Sequence, residues 1–178
     1  LDTIIGALLL APAARLIAFA ADPVVNAAME YIGMTITAAT EQSPVIMGFL
    51  LGGIMKMICT SPLSSMALTA MLGLTGLPMG ITAIACVAGS FTNGILFARL
   101  HLGDRSNVIA VMLEPLTQAH IITRYPIPIY ASDFLGGGLA GIAAALLGIV
   151  NNAPGTASPI PGLLAPFAFN PAGKVVLA

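Results

Sequence analysis

The sequence predicts an all-α integral membrane protein with several membrane-crossing helices, some of them broken or re-entrant. The composition is 58% hydrophobic and only 7% charged, whereas soluble proteins carry about 25% charged residues. The stretches between Lys56 and Arg99 and between Asp133 and Lys174 contain no Asp, Glu, Lys or Arg. A membrane-spanning helix needs about 20 apolar residues, so each stretch is long enough for one or two crossings.

The N-terminal third is predicted to contain three helical segments. The first, 4–21, is apolar and is interrupted by Pro12 and Arg15. The second, 22–42, places apolar residues at spacings of three or four among polar ones, which is typical of an amphipathic helix at a membrane interface or against a polar cavity. The third, 45–59, is apolar, and Lys56 near its end is expected to extend its side chain to the lipid headgroups.

The central part of the sequence predicts a broken region followed by a clear spanning helix. Residues 60–80 are expected to break the helical run twice, at Pro62 and at Pro78. The next segment, 81–100, is the clearest spanning helix of the chain. The polar loop 99–106 carries two arginines and one aspartate, and the positive-inside rule favours the cytoplasmic side for it.

A re-entrant hairpin is predicted after this loop. Segment 107–113 is too short to span a membrane, and Pro115 disfavours the helical conformation at Glu114, so a helix ends or kinks there. A second short piece through His120 would complete the hairpin. The prolines in 126–128 favour an extended connection to the next helix.

The last spanning helix is predicted for 134–150. Its Gly137 and Gly141 lie on one face and would allow another helix to approach closely. The stretch 151–162 is a turn-rich break in apolar sequence. Irregular backbone at membrane depth is tolerated only where it is buried or lines a wet cavity, and transporters use such broken helices around a central site.

Glu114 is the strongest candidate for a ligand-binding residue. A carboxylate within a membrane is costly without partners, so it is a functional hypothesis by default. Its two oxygens can accept hydrogen bonds from adjacent sugar hydroxyls, and neighbouring side chains can supply more. These neighbours are Thr117, Gln118 and His120. The alternative is a surface loop in which Glu114 pairs with Arg124.

Two other polar breaks supply the remaining candidates. In TSPLSS (60–65), the serines could cap helix ends, the commoner role at such breaks, or line a polar pocket, or do both. In NNAPGTASPIPG (151–162), polar side chains could line the same pocket or belong to an aqueous turn. The predicted substrate-binding set is Glu114, Thr117, Gln118, His120, Ser61, Ser64, Asn152 and Thr156.

The sequence argues against several other functional classes. The net charge is −1, and the chain has no basic patch and no Trp, which argues against nucleic-acid binding. The sequence lacks the zinc-protease, nucleophile-elbow and phosphate-loop motifs. Cys59 and Cys86 have neither metal-binding nor redox spacing and are predicted to be small buried side chains. No catalytic residue, metal or cofactor is therefore predicted in this chain.

Several blocks of sequence together resemble a known membrane family. They are GFLLGGIMKMICTSPLSSMALTAMLGLTGLPMG, EPLTQ, PIPIYASDF, GGGLAG, NNAPGTASP and FNP, in that order. The order is similar to the membrane domain, enzyme IIC, of the bacterial sugar phosphotransferase system, and most similar to its fructose-related branch and to stand-alone IIC-like proteins. The resemblance covers nearly the whole chain but corresponds to roughly the C-terminal half of such a domain. We therefore expect residues 1–178 to be a single transmembrane domain that forms part of a larger one.

The resemblance implies a homodimeric permease of the bacterial inner membrane that crosses the bilayer several times. It would bind a sugar near the membrane midplane, and a phosphocysteine on a separate IIB partner would phosphorylate that sugar. Glu114 matches the family's pocket glutamate, and His120 matches its histidine less securely. The fructose branch has a histidine in the loop corresponding to 151–162, where this sequence has Thr156 and Ser158.

Two other functions remain open at this point. An ion- or proton-coupled secondary carrier would use the same broken helices, with Glu114 titrating. A membrane sensor or assembly subunit would not use these polar residues chemically.

Overall fold

In the computed structural model, the described backbone covers residues 2–40 and 43–178, and the first helix has only part of its side chains described. The chain divides into two compact units, Leu1–Thr37 and Ala38–Ala178. Every regular element in the described ranges is a helix. The predicted all-α class is confirmed.

The first helix, α1, runs without a break from Asp2 to Thr40 and contains Pro12 and Pro23. The prediction of two segments, 4–21 and 22–42, was wrong on this point. A proline removes one backbone hydrogen bond and costs roughly 3 kcal/mol inside a helix, but the helix-favouring sequence on both sides continues the same helix. The amphipathic pattern predicted for 22–42 falls largely on side chains outside the described ones.

Helix α2, Pro44–Thr60, agrees closely with the predicted segment 45–59. It starts with a proline at its first position, where the missing N–H is not needed. The chain then leaves the helix at Ser61 and passes Pro62, as predicted, before the short α3, Ser65–Met71, begins.

Helix α4 spans Gly76–Leu100 and therefore begins earlier than the predicted 81–100. The second break lies at 72–75 and not at Pro78. Gly73 within the break and Gly76 at the start of α4 adopt positive φ angles of 58° and 68°, which glycine tolerates and which interrupt the helical run. Pro78 occupies the first turn of α4, a position that tolerates proline.

A broken region follows α4, as the sequence predicted. Helix α5 spans Arg105–Leu113, a 3₁₀ turn spans Pro115–Gln118 and α6 spans Ala119–Ile122. Glu114 separates the first two with an extended backbone, φ −152° and ψ 98°. A buried apolar cluster packs this region against the end of α4 and the start of the next helix, and its members are Phe97, Leu102, Val111, Ile122 and Ile129.

The N-terminus of α5 is capped by Asp104. Its carboxylate accepts hydrogen bonds from the Ser106 hydroxyl at 2.8 Å and from the Asn107 backbone N–H at 3.0 Å. The Asn107 side chain accepts from the Asp104 backbone N–H at 2.9 Å, which completes a capping box. The Ser106 hydroxyl, followed by the backbone N–H of Asn107, holds the pKa of Asp104 below its usual value.

Helix α7 spans Pro126–Leu146, so the predicted extended connection at 126–128 and the predicted helix start at 134 were wrong. Both prolines lie in the first turn of α7, where no intrahelical N–H is required. The loop 147–158 follows, and then come α8, Pro159–Leu164, a 3₁₀ turn, Ala165–Ala168, and α9, Ala172–Leu177.

The core of the second unit is formed by α2, α4 and α7, which pack against one another. A Cβ atom on Gly141 would overlap the Gly48 carbonyl oxygen, and one on Gly52 would overlap the Gly137 carbonyl oxygen. The close helix approach predicted from Gly137 and Gly141 is therefore confirmed. Among the described residues, α4 and α7 are long and apolar enough to span a membrane, while α2 is shorter, with 17 residues.

Candidate functional site

A cavity of about 230 Å³ lies where the breaks of the second unit meet. Residues of four segments line it: the end of α2, the linker and start of α3, the turn after α5, and the residue before α8. The lining residues are Cys59, Ser61, Pro62, Leu63, Ser64, Ser65, Met66, Glu114, Leu116 and Ser158. Three of the predicted site residues, Glu114, Ser61 and Ser64, are thus brought together.

The linker between α2 and α3 is shaped by its serines. The Ser61 hydroxyl donates to the Ile58 carbonyl at 2.8 Å and accepts from the Leu63 backbone N–H at 3.2 Å. The Ser64 hydroxyl accepts from the Ala67 backbone N–H at 3.1 Å and so caps α3. The two serines cap helix ends and line the cavity at the same time, which was one of the interpretations left open by the sequence.

Glu114 reaches the cavity from the break between α5 and the 3₁₀ turn. The Thr117 backbone N–H and hydroxyl donate to the Glu114 carbonyl at 3.1 and 2.8 Å, which fixes the backbone of the turn. The half-buried carboxylate accepts a hydrogen bond from the Ser158 hydroxyl at 3.2 Å through Oε2. Within the described ranges, Oε1 accepts no hydrogen bond from the protein, and Glu114 pairs with Ser158 and not with Arg124.

Ser158 is held in place by the loop 147–158. The Ser65 hydroxyl donates to the buried Ala157 carbonyl at 2.6 Å, which attaches this loop to the start of α3. The loop is also anchored to α4, because the Asn151 backbone N–H donates to the Gly76 carbonyl at 2.9 Å. These contacts bring a serine hydroxyl to a glutamate 44 positions earlier in the chain.

The predicted residues of loop 151–162 support its fold and do not line the cavity. Asn152 accepts from the Gly76 backbone N–H at 3.1 Å through its side-chain oxygen. The Thr156 hydroxyl accepts from the Asn151 amide at 2.8 Å and donates to the Ala153 carbonyl at 2.8 Å. Both side chains therefore hold the segment that carries Ser158.

Thr117 and Gln118 lie outside the cavity, on the turn that carries Glu114. The Gln118 side chain is buried, accepts from the Asn107 amide at 2.7 Å and donates to the Thr117 hydroxyl at 3.2 Å. This contact connects the turn to the first turn of α5.

His120 lines a different cavity, of about 370 Å³, beside the end of α4. Its polar neighbours there are His101, Asn107, Arg124 and Tyr125. The structure therefore separates His120 from Glu114, although they are close in the sequence.

A buried charged cluster between α2, α4 and α7 was not predicted from the sequence. Lys56 and Asp133 are fully buried, and Lys56 Nζ lies 3.6 Å from Asp133 Oδ1. The expectation that Lys56 extends to the headgroups was wrong, because its side chain points into the contact of α2 with α4 and α7. In the sequence, the feature that indicates this ion pair is the presence of two opposite charges, each within an apolar stretch, because a charge buried in a membrane protein needs a partner.

The cavity near Glu114 is suited to a small polyhydroxylated solute. Its carboxylate offers an acceptor, with one oxygen that receives no hydrogen bond from the residues the structure describes, and the serine hydroxyls can donate or accept. Leu63, Met66 and Leu116 provide apolar surface for the carbon faces of such a solute. The part of the chain that the structure describes contains no group of three His, Cys, Asp or Glu side chains that could hold a metal ion.

Comparison with known proteins agrees with this arrangement of a polar cavity among broken apolar helices. A family profile described as "Phosphotransferase system, EIIC" matches residues 1–178. No curated protein and no solved structure matches the chain. The match extends over the entire sequence, so the protein belongs to the EIIC family of the phosphotransferase system and is a membrane permease component of that system.

Proposed function

We propose that the cavity between Glu114, Ser61, Ser64 and Ser158 binds the sugar that this permease component carries. The observation that supports this most is the Glu114 carboxylate, which is placed at a helix break and keeps Oε1 without a protein donor among the described residues. A sugar hydroxyl would supply that donor. The cavity volume of about 230 Å³ suits a monosaccharide better than an oligosaccharide, since pockets for larger ligands span roughly 300–1,000 Å³.

The other predicted residues have supporting roles in this proposal. Thr117 and Gln118 hold the turn that presents Glu114, while Asn152 and Thr156 hold the loop that presents Ser158. His120 would act outside the sugar cavity, since it lines the neighbouring one.

The proposed assembly is a homodimer that crosses the bacterial inner membrane several times and receives a phosphoryl group from a IIB partner. The resemblance to the fructose-related branch makes fructose the first sugar to test. We further propose that residues 1–178 act as one transmembrane domain within a larger IIC domain.

The test is the binding of radiolabelled monosaccharides, fructose first, to the protein in lipid nanodiscs, with Glu114→Gln as the variant. Hydrogen bonds to a charged group contribute about 1.5–3 kcal/mol each. Because about 1.4 kcal/mol corresponds to a tenfold change, the affinity should fall about tenfold to a hundredfold. Addition of phosphorylated IIB should convert the bound sugar to its phosphate.

Two matched variants serve as controls. Asp22→Asn makes the same carboxylate-to-amide change at an exposed position of α1, and His120→Gln alters the neighbouring cavity. Both should bind sugar like the unaltered protein. Normal affinity in Glu114→Gln with loss of pH-dependent uptake would favour a proton-coupled carrier. Lower stability with unchanged affinity would assign Glu114 a structural role.

A further inference from the structure

The buried charged cluster between α2, α4 and α7 has a geometry that neither packing nor sugar binding explains. Lys56 on α2 places Nζ 3.6 Å from Asp133 Oδ1 on α7 and donates to the Ser90 hydroxyl on α4 at 3.2 Å. Both charged side chains are completely buried. Taking two charges out of water costs several kcal/mol per ion in proteins, and attraction compensates only when the remaining hydrogen-bonding groups are satisfied.

The aliphatic part of the Lys56 side chain lies against two glycines. A Cβ atom on Gly89 of α4 or on Gly137 of α7 would overlap the aliphatic carbons of Lys56. The backbones of both helices therefore form a slot for the lysine side chain. The lysine side chain is therefore packed between the three helices, in space that the two glycines leave open.

The acceptors around the cluster are, in contrast, incompletely satisfied. Asp133 Oδ1 and Oδ2 and Asn93 Oδ1 are buried, and none of them accepts a hydrogen bond within the described ranges. The Asn93 amide nitrogen donates to the Thr60 hydroxyl at 3.3 Å, and Thr60 and Asn93 both lie beside the Asp133 carboxylate. Each buried acceptor without a donor typically costs about 1–3 kcal/mol.

Protonation of Asp133 would change the number of hydrogen-bond donors and acceptors in the cluster. An ionised carboxylate only accepts hydrogen bonds, whereas a protonated one has an O–H that donates. Protonated Asp133 could donate to Asn93 Oδ1, and the ionised form instead attracts the Lys56 ammonium. A metal cation would be repelled by that ammonium, and a proton needs no cavity.

The cluster is also continuous with the sugar cavity. Thr60, which accepts from Asn93, is the last residue of α2, and its neighbours Cys59 and Ser61 both line the cavity. We propose that Asp133 is a proton-binding site and that proton uptake there is linked, through Thr60, to the shape of the linker that lines the sugar cavity. Linkage is reciprocal, so a ligand that favours one linker arrangement would also change proton uptake.

Other groups that can ionise face the cluster or the adjoining cavity. They are Cys59 on α2, Cys86 on α4, Tyr130 on α7 and Glu114 on the turn after α5. A test must therefore separate Asp133 from all of them.

The experiment is a pH titration of the protein in nanodiscs, followed by the infrared C=O stretch of protonated carboxyl groups. The unaltered protein is compared with Asp133→Asn and with the double variant Lys56→Met/Asp133→Asn, which leaves no buried charge unpaired. Hydrogen exchange at the Ser61 and Leu63 amides is measured at the same pH values. Those amides donate to the Met57 carbonyl and to the Ser61 hydroxyl, so they report on the linker.

We expect one carboxyl band of the unaltered protein to be lost in both variants and retained in Glu114→Gln. In the unaltered protein, the hydrogen-exchange rates of the Ser61 and Leu63 amides should change over the pH range in which that band appears. When the proteins are compared at each pH, this change should be absent from the Lys56→Met/Asp133→Asn variant. An unchanged band in the double variant would overturn the assignment to Asp133. Linker exchange that does not follow the band would overturn the linkage. This proposal rests on the proposed function only for the identity of the cavity. Because no sugar is added in the experiment, a negative result for proton binding at Asp133 is distinct from a negative result for sugar binding.

Discussion

Replacing Gly141 with alanine tests whether the contact of α2 with α7 depends on backbone approach. A Cβ atom at this position would overlap the Gly48 carbonyl oxygen and would lie 3.0 Å from the Gly48 carbonyl carbon and 3.1 Å from the Gly52 Cα. All three obstructing atoms belong to the backbone of α2. No side-chain rotation can relieve the overlap, so the two helices would have to separate.

The expected loss of stability is about 2 kcal/mol. Overpacking in a core costs about 1–3 kcal/mol, and the backbone nature of this clash favours the upper end. Alanine is about 1 kcal/mol better than glycine inside a helix, which offsets part of the loss. For a chain of this size, about 2 kcal/mol corresponds to a melting temperature lower by roughly 4–8 °C.

The two free cysteines provide the assay. Cys59 on α2 and Cys86 on α4 are buried, so a thiol-reactive fluorogenic dye reports their exposure during heating in detergent. Gly173→Ala is the matched control, because a Cβ there meets no atom within 4 Å and the alanine favours helix α9. Its melting temperature should be unchanged or slightly higher. A Gly141→Ala protein that melts no earlier than Gly173→Ala would refute the argument that backbone contact holds these helices together.

Two further predictions concern the segments that position the site. Ser65→Ala removes the hydroxyl that donates to the buried Ala157 carbonyl at 2.6 Å. The free energy of unfolding, measured with the same dye, should therefore fall by about 1–3 kcal/mol. An unchanged value would mean that this hydrogen bond does not anchor the loop. The lowered pKa of Asp104 means that its stabilisation of α5 is present above the ordinary pKa of an aspartate, about 3.9, and is lost as pH falls through the lower folded-state pKa. Exchange protection of the Ser106 and Asn107 amides should therefore weaken at acidic pH, and the same weakening in Asp104→Asn would contradict the assignment to this carboxylate.

Local chemistry made part of the structure predictable from the sequence. The end of α2 near Ser61, the extended residue Glu114 before Pro115, and the close approach at Gly137 and Gly141 all follow from preferences of a few neighbouring residues. Glu114, Ser61 and Ser64 were predicted to lie at helix breaks, and all three line one cavity, because irregular backbone in a membrane protein is tolerated where it is buried or lines a cavity.

The predicted helix boundaries were wrong where the effect of a proline depends on its position within the helix. Pro78, Pro126 and Pro128 predict a helix break in isolation, yet each lies in the first turn of a helix, where proline is compatible with helical structure. The location of the start of α4 depends on glycines with positive φ angles, Gly73 before the helix and Gly76 at its first position, and a proline alone does not reveal it.

Contacts between distant segments could not be read from the sequence. The hydrogen bond from Ser158 to Glu114 joins two loops, and its existence depends on how α7 and the anchored loop 147–158 place Ser158. The same holds for the ion pair of Lys56 with Asp133, because nothing local to either residue specifies its partner. His120 shows the converse, since nearness to Glu114 in sequence did not place both in one cavity.

The glycine slot around Lys56 has a mechanical consequence for how this permease component can move. The lysine side chain crosses from α2 between the backbones of α4 and α7, so sliding α4 along α2 by one turn would replace Gly89 with Ala85 or Asn93, whose Cβ atoms would meet its methylene carbons. The slot therefore resists sliding of α4 against α2, and the ion pair of Lys56 with Asp133 also connects α2 to α7. The linker 61–64 and the turn at 114–118, which contribute to the cavity wall, lie outside this three-helix contact, so a change in the shape of the cavity does not require these helices to slide.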